Sequence, residues 1–410
     1  EGNPYIVIDS TWVPEGEELI INRGVIVQVV PATGIHIFGS LNAIGTEEDS
    51  VHFTSHEEEE WAGLDFYGRQ IVYEFDYCTI RNSVNGLVAS GETGLNVSNS
   101  DINCSYIAFG VINSNSQDSR NNSYNFESSI FVGGRVVYFN SSRLTAVDCY
   151  FSTGSENRWG FGNSGSIEMT ECNFIGTLDG YFMRGIFRRC NFYRSESDHC
   201  YVWVTGGGSR MEDCYVDGGV HLLSTNADFH NNEIEGTLTV EVFSGSIHES
   251  ILGSLSLGLS LDPITVVNCS INRDIVISDC DSVEIYNCQI LGNDAPGNRA
   301  IRLRGLGNNI SSYSIHHNLI LGNLYSSGEI DLTLKNNTLI TESPHQRPLI
   351  RCLIDEGSVD ITNNILMSTG ENDGLYDPHF NGAENPIIKD NCIFGFEQFI
   401  YGNNELEFDL

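Results

Sequence analysis

Along most of the chain the apolar residues follow neither the 3.6-residue period of a helix nor the plain alternation of an isolated strand. What recurs is apolar–x–x–(Cys/Asn/Ser)–x–apolar. Its central residue falls at Cys78, Ser100, Ser129, Cys149, Cys172, Cys190, Cys214, Asn232, Ser250, Cys269, Cys288, Asn318, Asn337, Asn364 and Cys392. These 15 copies run over the 314 residues from Cys78 to Cys392, about one per 22, and 18 or 19 is the commonest spacing. The position two after the centre is apolar in all 15, from Ile80 to Phe394. The position three before it is apolar in 14, and only Lys389 breaks the rule. The position just before the centre is mostly polar, as in Asp148, Glu171, Arg189, Asp213, Asn231, Glu249, Asn268 and Asn287.

Successive side chains of a strand point to opposite faces. Offsets 0 and +2 therefore share a face, and −3 belongs to the other. All three can point inward only if the chain bends between −3 and 0. Asn and Asp near −1 are residue types that tolerate a left-handed bend. One strand–bend–strand unit per 18 to 24 residues predicts a coil of parallel strands, in which a single turn cannot bury its apolar face until its neighbours stack on it. The longest intervals predict loops leaving the coil near Arg302, Arg351 and Asp377.

The 410 residues, 40% of them hydrophobic, suffice for a large core. No run approaches the roughly 18 apolar residues of a membrane-spanning helix, so membrane insertion is not expected. The net charge of −35, with Lys335 and Lys389 the only lysines, opposes nucleic acid, anionic membranes and polyanionic ligands. The absence of a leader at Glu1 suits a mature secreted product and, equally, a trimmed chain.

Three further stretches carry a family likeness: "GSLNAIGT" (Gly39–Thr46) followed by "FTS" (Phe53–Ser55) and "WAGLDF" (Trp61–Phe66), and, late in the chain, "LYDPHF" (Leu375–Phe380). Together with the repeat they resemble the right-handed parallel β-helix, pectin-lyase-like family, in particular secreted bacterial β-helix proteins. The resemblance implies an all-β, single-stranded right-handed parallel β-helix of about 15–17 coils in one domain, 1–410. Residues 1–71 would supply an N-terminal cap and the first coils, and 72–396 the repeated coils. Residues 397–410 would close the far end or precede a further domain. It also implies a secreted or cell-surface location. It does not imply a chemistry, because this fold serves many functions.

Eight of the 12 cysteines occupy the central position, which also accepts Asn and Ser. A small inward side chain suits a crowded bend, and Cys serves there as a small hydrophobe. A structural ladder is therefore favoured over disulfides between rungs, which need a specific torsion, and over metal binding, since no C-x-x-C or Cys-His spacing is present. The off-ladder Cys104, Cys200, Cys280 and Cys352 become the candidates for exposed or paired thiols.

The catalytic signatures of the pectate lyases and polygalacturonases of this fold are not recognisable; the nearest likeness is "RPLIR" (Arg347–Arg351). A geometric candidate remains, because equal offsets stack in rows on the outside of a solenoid. The −1 row reads Asp148, Glu171, Arg189, Asp213, and the −2 row includes Arg188, Glu212, His230 and His248. Carboxylates on adjacent turns would lie roughly 5 Å apart, a separation retaining glycosidases use. Glu171, Arg189 and Asp213 are the catalytic candidates and the whole patch a binding candidate. Tyr150 and Tyr215, at the outward +1 offset, could stack on sugar rings. No cofactor is required by this reading. Calcium is the metal that the acidic clusters Asp279/Asp281 and Asp373/Asp377 would take. Two functions follow: a non-catalytic extracellular solenoid with a structural, adhesive or glycan-binding role, including assembly with protein partners, or a polysaccharide lyase or glycoside hydrolase working along one outer face.

Overall fold

A computed structural model describes residues 4–395, apart from 91, 113–121, 139–141, 154–160, 163–164, 177, 181–183, 195–199, 207, 224–225, 242–243, 261, 293–298, 306–309, 342–348 and 370–386. Among the described residues the fold is all-β, without helices: a parallel sheet wound as a β-solenoid of about 13 turns. This is fewer turns than the 15–17 coils that the family likeness implied. The chain divides into two compact units, one comprising Glu1–Gly206 with Cys214–Gly218 and the other Gly207–Asp213 with Gly219–Leu410.

Within the first unit, strands such as Ser123–Glu127, Arg143–Val147, Ser166–Thr170 and Arg184–Arg188 stack in parallel, residue for residue. Within the second, Ala227–His230, Gly245–His248, Ile264–Val267 and Ser282–Tyr286 do the same. Each of these strands ends at the bend predicted from the repeat. The residue at −1 is left-handed in every copy, with φ between 46° and 58°, from Tyr77 and Asn99 through Glu171, Arg189 and Glu249 to Asn363 and Asp390. Asn and Asp fill nine of these places because their short polar side chains tolerate that backbone. Glu171, Arg189, Glu249 and His317 occupy it as well, so the turn imposes a conformation that these residues would seldom choose.

The bend explains the ladder. A left-handed residue takes the following N–H out of the sheet pattern, and a buried N–H needs an acceptor. The side chain at the same position of the next turn supplies it. Asn337 N donates to Asn364 Oδ1 at 2.9 Å, Asn318 N to Asn337 Oδ1 at 3.0 Å, Cys78 N to Ser100 Oγ at 3.0 Å and Cys269 N to Cys288 Sγ at 3.4 Å. Asn does most, because its amide also donates to a carbonyl of the preceding turn, as Asn318 Nδ2 does to Ile285 O at 2.9 Å. Cys, Ser and Asn thus share a job, that of a small buried side chain with an acceptor atom.

The final copy lies one residue earlier than the repeat suggested. Asn391 Oδ1 accepts from Asn364 N at 2.9 Å, and Asp390, not Asn391, is left-handed. With Asn391 as the centre, the position three before it becomes Ile388, so Lys389 is no longer an exception. Cys392 leaves the ladder and is exposed, while seven cysteines remain on it. The other correction concerns Cys104, Cys200, Cys280 and Cys352, which are buried and free, not exposed or paired. Burial pushes the thiols of Cys104, Cys200 and Cys352 up to about 12 and that of Cys280 up to about 11.

Behind the ladder the +2 row forms the core. In the first unit Phe131, Phe151, Phe174 and Phe192 stack with centroids 5.3, 5.0 and 4.7 Å apart and ring planes within 14°. Trp61 of the opening segment is fully buried, and its indole N–H donates to Arg81 O at 3.0 Å.

Candidate functional site

The residues of the outward rows fall into the two units. In the first, the exposed Glu171 and Arg189 sit at successive left-handed bends and close an ion pair. Arg189 Nε and Nη2 lie 2.9 and 2.8 Å from the same Glu171 Oε1. Arg188 turns to a different carboxylate, Glu168, at 2.7 Å, and Arg143 adds a second contact to Glu168 at 3.4 Å. These arginines hold the Glu168 carboxyl below its ordinary value. Asp148 is exposed and accepts from Ser128 Oγ at 3.2 Å. Two of the three expected catalytic residues, Glu171 and Arg189, therefore neutralise one another.

Tyr150 and Tyr215 lie, as expected, in one outward row with Asn173 and Asn191 between them. Asn191 Nδ2 donates to Asn173 Oδ1 at 3.0 Å, and Tyr215 stands 5.8 Å from the exposed ring of Tyr193. Both Tyr150 and Tyr215 are half-buried.

In the second unit Asp213 accepts from Asn231 Nδ2 at 2.7 Å, and Glu212 lies 3.3 Å from Arg210. His230 and His248 are brought together directly: they pair in register on adjacent strands and their rings stack with centroids 4.3 Å apart and planes at 22°. His230 Nε2 is 2.7 Å from Glu249 Oε2, and His248 Nε2 is 3.1 Å from Asp228 Oδ1. The repeat pointed to the two histidines but not to their carboxylates. Glu249 reads there as a bend residue, and Asp228 lies two places outside the aligned rows.

Of the calcium candidates, Asp279 and Asp281 flank the buried Cys280. Asp279 is left-handed and has one carboxylate oxygen shielded without a hydrogen-bond partner. No further acidic, histidine or cysteine side chain gathers with them among the described residues. Asp373 and Asp377 lie outside the described residues, as does Arg347, while Arg351 is exposed on the strand Ile350–Glu356.

A feature the sequence did not disclose is an open cleft of about 360 Å³ in the first unit, lined by Gln70, Val72, Glu92, Gly94, Asn96 and Asn125 among others. Two lining residues are hydrogen-bonded across turns, Asn125 Nδ2 donating to Asn96 Oδ1 at 2.9 Å, and Asn96 Nδ2 continues the row to Glu74 Oε1, outside the lining, at 2.8 Å. Val72, 55% exposed, adds an apolar wall. Gly94 leaves room beside it, since a Cβ there would come within 3.0 Å of Val72. Amide groups that both donate and accept, beside a small apolar surface, match the alternating hydroxyl and C–H faces of a sugar.

No family model matches the chain. No curated protein matches its sequence either.

Proposed function

We propose that this chain is a non-catalytic β-solenoid that binds a neutral glycan outside the cell, in the amide-lined cleft of its first unit. The observation that carries this reading is the hydrogen-bonded pair Asn96–Asn125 lining the cleft, with exposed Val72 beside it. A neutral ligand is favoured because a chain of net charge −35 repels a polyanion. The half-buried Tyr150 and Tyr215 supply further sugar-stacking edges on an outward face. An extracellular or cell-surface setting accords with the β-helix resemblance of the opening coils. The enzymatic alternative would require Glu171 to leave its exposed ion pair with Arg189 before it could act as a general acid or base.

The test is titration of the protein with neutral and acidic polysaccharides, alongside the N96A/N125A variant. Saturable binding to a neutral glycan that the variant loses is the expected result. Binding unchanged in the variant removes the cleft from the reading. New reducing ends, or ultraviolet absorbance from new double bonds, would replace it with hydrolysis or elimination.

A further inference from the structure

The strands Ala227–His230 and Gly245–His248 belong to the second unit and run in parallel register, Asp228 opposite Ser246 and His230 opposite His248. Stacking equal offsets on adjacent turns places both imidazoles on the outer side, half-buried, with their rings face to face. The next residue in each turn, Asn231 or Glu249, is left-handed. At Glu249 that bend returns the carboxylate toward the preceding turn, where it meets His230 Nε2. Ligand-type atoms of His230, His248 and Glu249 thereby lie within 4.8 Å of one another. Asp228 Oδ1 lies beside the group, 3.1 Å from His248 Nε2, while its other oxygen faces Arg210 Nε at 3.6 Å.

We propose that His230, His248 and Glu249, with Asp228, form a binding site for a divalent transition-metal ion of the zinc type. The chemistry of the donors selects the ion: two imidazole nitrogens with carboxylate oxygens suit zinc and its neighbours, whereas calcium takes six to eight oxygens. The geometry is close to that required. Two ligands bound at about 2.1 Å to one ion stand at most about 4.2 Å apart, so side-chain rotations that unstack the two rings and aim one nitrogen of each at a common point close the site without moving the strands. The backbone is fixed by sheet pairing on both strands, which holds the ligands in place before the ion arrives. Each imidazole now contacts a carboxylate. In the bound state the ion takes the place of that contact for Glu249, and Asp228 either joins the ion or orients His248 from behind. Arg210, also 3.3 Å from Glu212, keeps that side of the cluster from accumulating uncompensated negative charge.

The experiment uses the full chain, stripped of metal by a chelator and carrying C392S so that the exposed thiol does not compete. It is titrated with zinc chloride in excess calcium, which occupies the diffuse acidic surface. One zinc per chain is expected, with affinity falling tenfold or more in H230A and in H248A and by a smaller factor in E249Q. Zinc should also raise the urea midpoint of the parent chain and leave that of H230A/H248A unmoved. Equal zinc affinity in the parent and in H230A/H248A overturns the site, as does zinc binding that calcium displaces completely. Should the histidine variants fail to fold, E249Q decides, since it keeps the size and length of the bend residue. An unchanged zinc affinity there overturns the assignment.

Discussion

Asn364 Oδ1 accepts two hydrogen bonds from Asn337, one from its backbone N–H at 2.9 Å and one from its side-chain amide at 3.1 Å. The same amide also reaches back to Ile315 O at 2.8 Å. One side chain thus links three turns, and it does so at the point where the left-handed bend has removed a backbone donor from the sheet.

Replacing Asn337 by Ala should therefore destabilise the second unit well beyond the loss of a surface contact. The N–H of Asn318 loses its acceptor and Ile315 O its amide donor. At about 1–3 kcal/mol for each buried group left unpaired, the cost is about 3 kcal/mol. Asn337→Ser keeps an acceptor, as at Ser100 and Ser250, and should cost less. Urea unfolding of the two variants gives the comparison; equal stabilities would mean that the ladder acceptor does not matter.

Thiol labelling separates the ladder from its end. Cys392 is exposed, whereas the other 11 cysteines are buried. A disulfide reagent should modify one thiol quickly in the native protein and all 12 after denaturation. Cys392→Ser should abolish the fast phase. Rapid modification of Cys104 or Cys200 would contradict their burial.

Burial raises Cys352 to about 12 from the 9.0 of an unburied thiol. Below pH 9 the thiol is protonated whether the chain is folded or not, and its contribution is fully present. Between about 9 and 12 the unfolded chain releases the proton and the folded chain does not, so stability falls as pH rises through that window. Cys352→Ala should flatten the alkaline part of the stability curve. Circular dichroism melts at stepped pH measure it, and identical slopes in parent and variant would refute the shift.

Glu171 and Arg189 make a well-formed pair, yet each side chain is 53% exposed. Exposed pairs contribute about 0.2–1 kcal/mol. Glu171→Gln and Arg189→Ala should each change stability by less than about 1 kcal/mol, with the difference shrinking in high salt. Glycan binding in the cleft should be unaffected by both. A larger, salt-insensitive loss would show that the pair supports the bend itself.

The repeat was legible because its cause is local. A left-handed residue followed by a small acceptor-bearing side chain is a short pattern repeated in each turn, and 14 of the 15 centres lie where the apolar spacing placed them. Asn391 was missed by one residue because Cys392 satisfies the same residue-type rule, and the apolar pair Ile393–Phe394 fits the +2 position in either register. The off-ladder cysteines were misjudged for a related reason. Cys200, Cys280 and Cys352 lie in strands that follow the bend at variable distances, where the aligned offsets no longer report which way a side chain faces.

By itself, the sequence determined that the chain is an all-β coil of parallel strands, where each turn bends, and which small residues line the bend. Those properties follow from strand periodicity and from the need to satisfy one buried N–H per turn. Only the tertiary structure decided how outward side chains pair: Arg189 with Glu171, Arg188 with Glu168, Glu249 with His230, and Asn125 with Asn96. Successive bends are separated by 18 to 30 residues, so contacts across turns depend on register and on the direction each bend gives its side chain. Neither is written in the residue types alone.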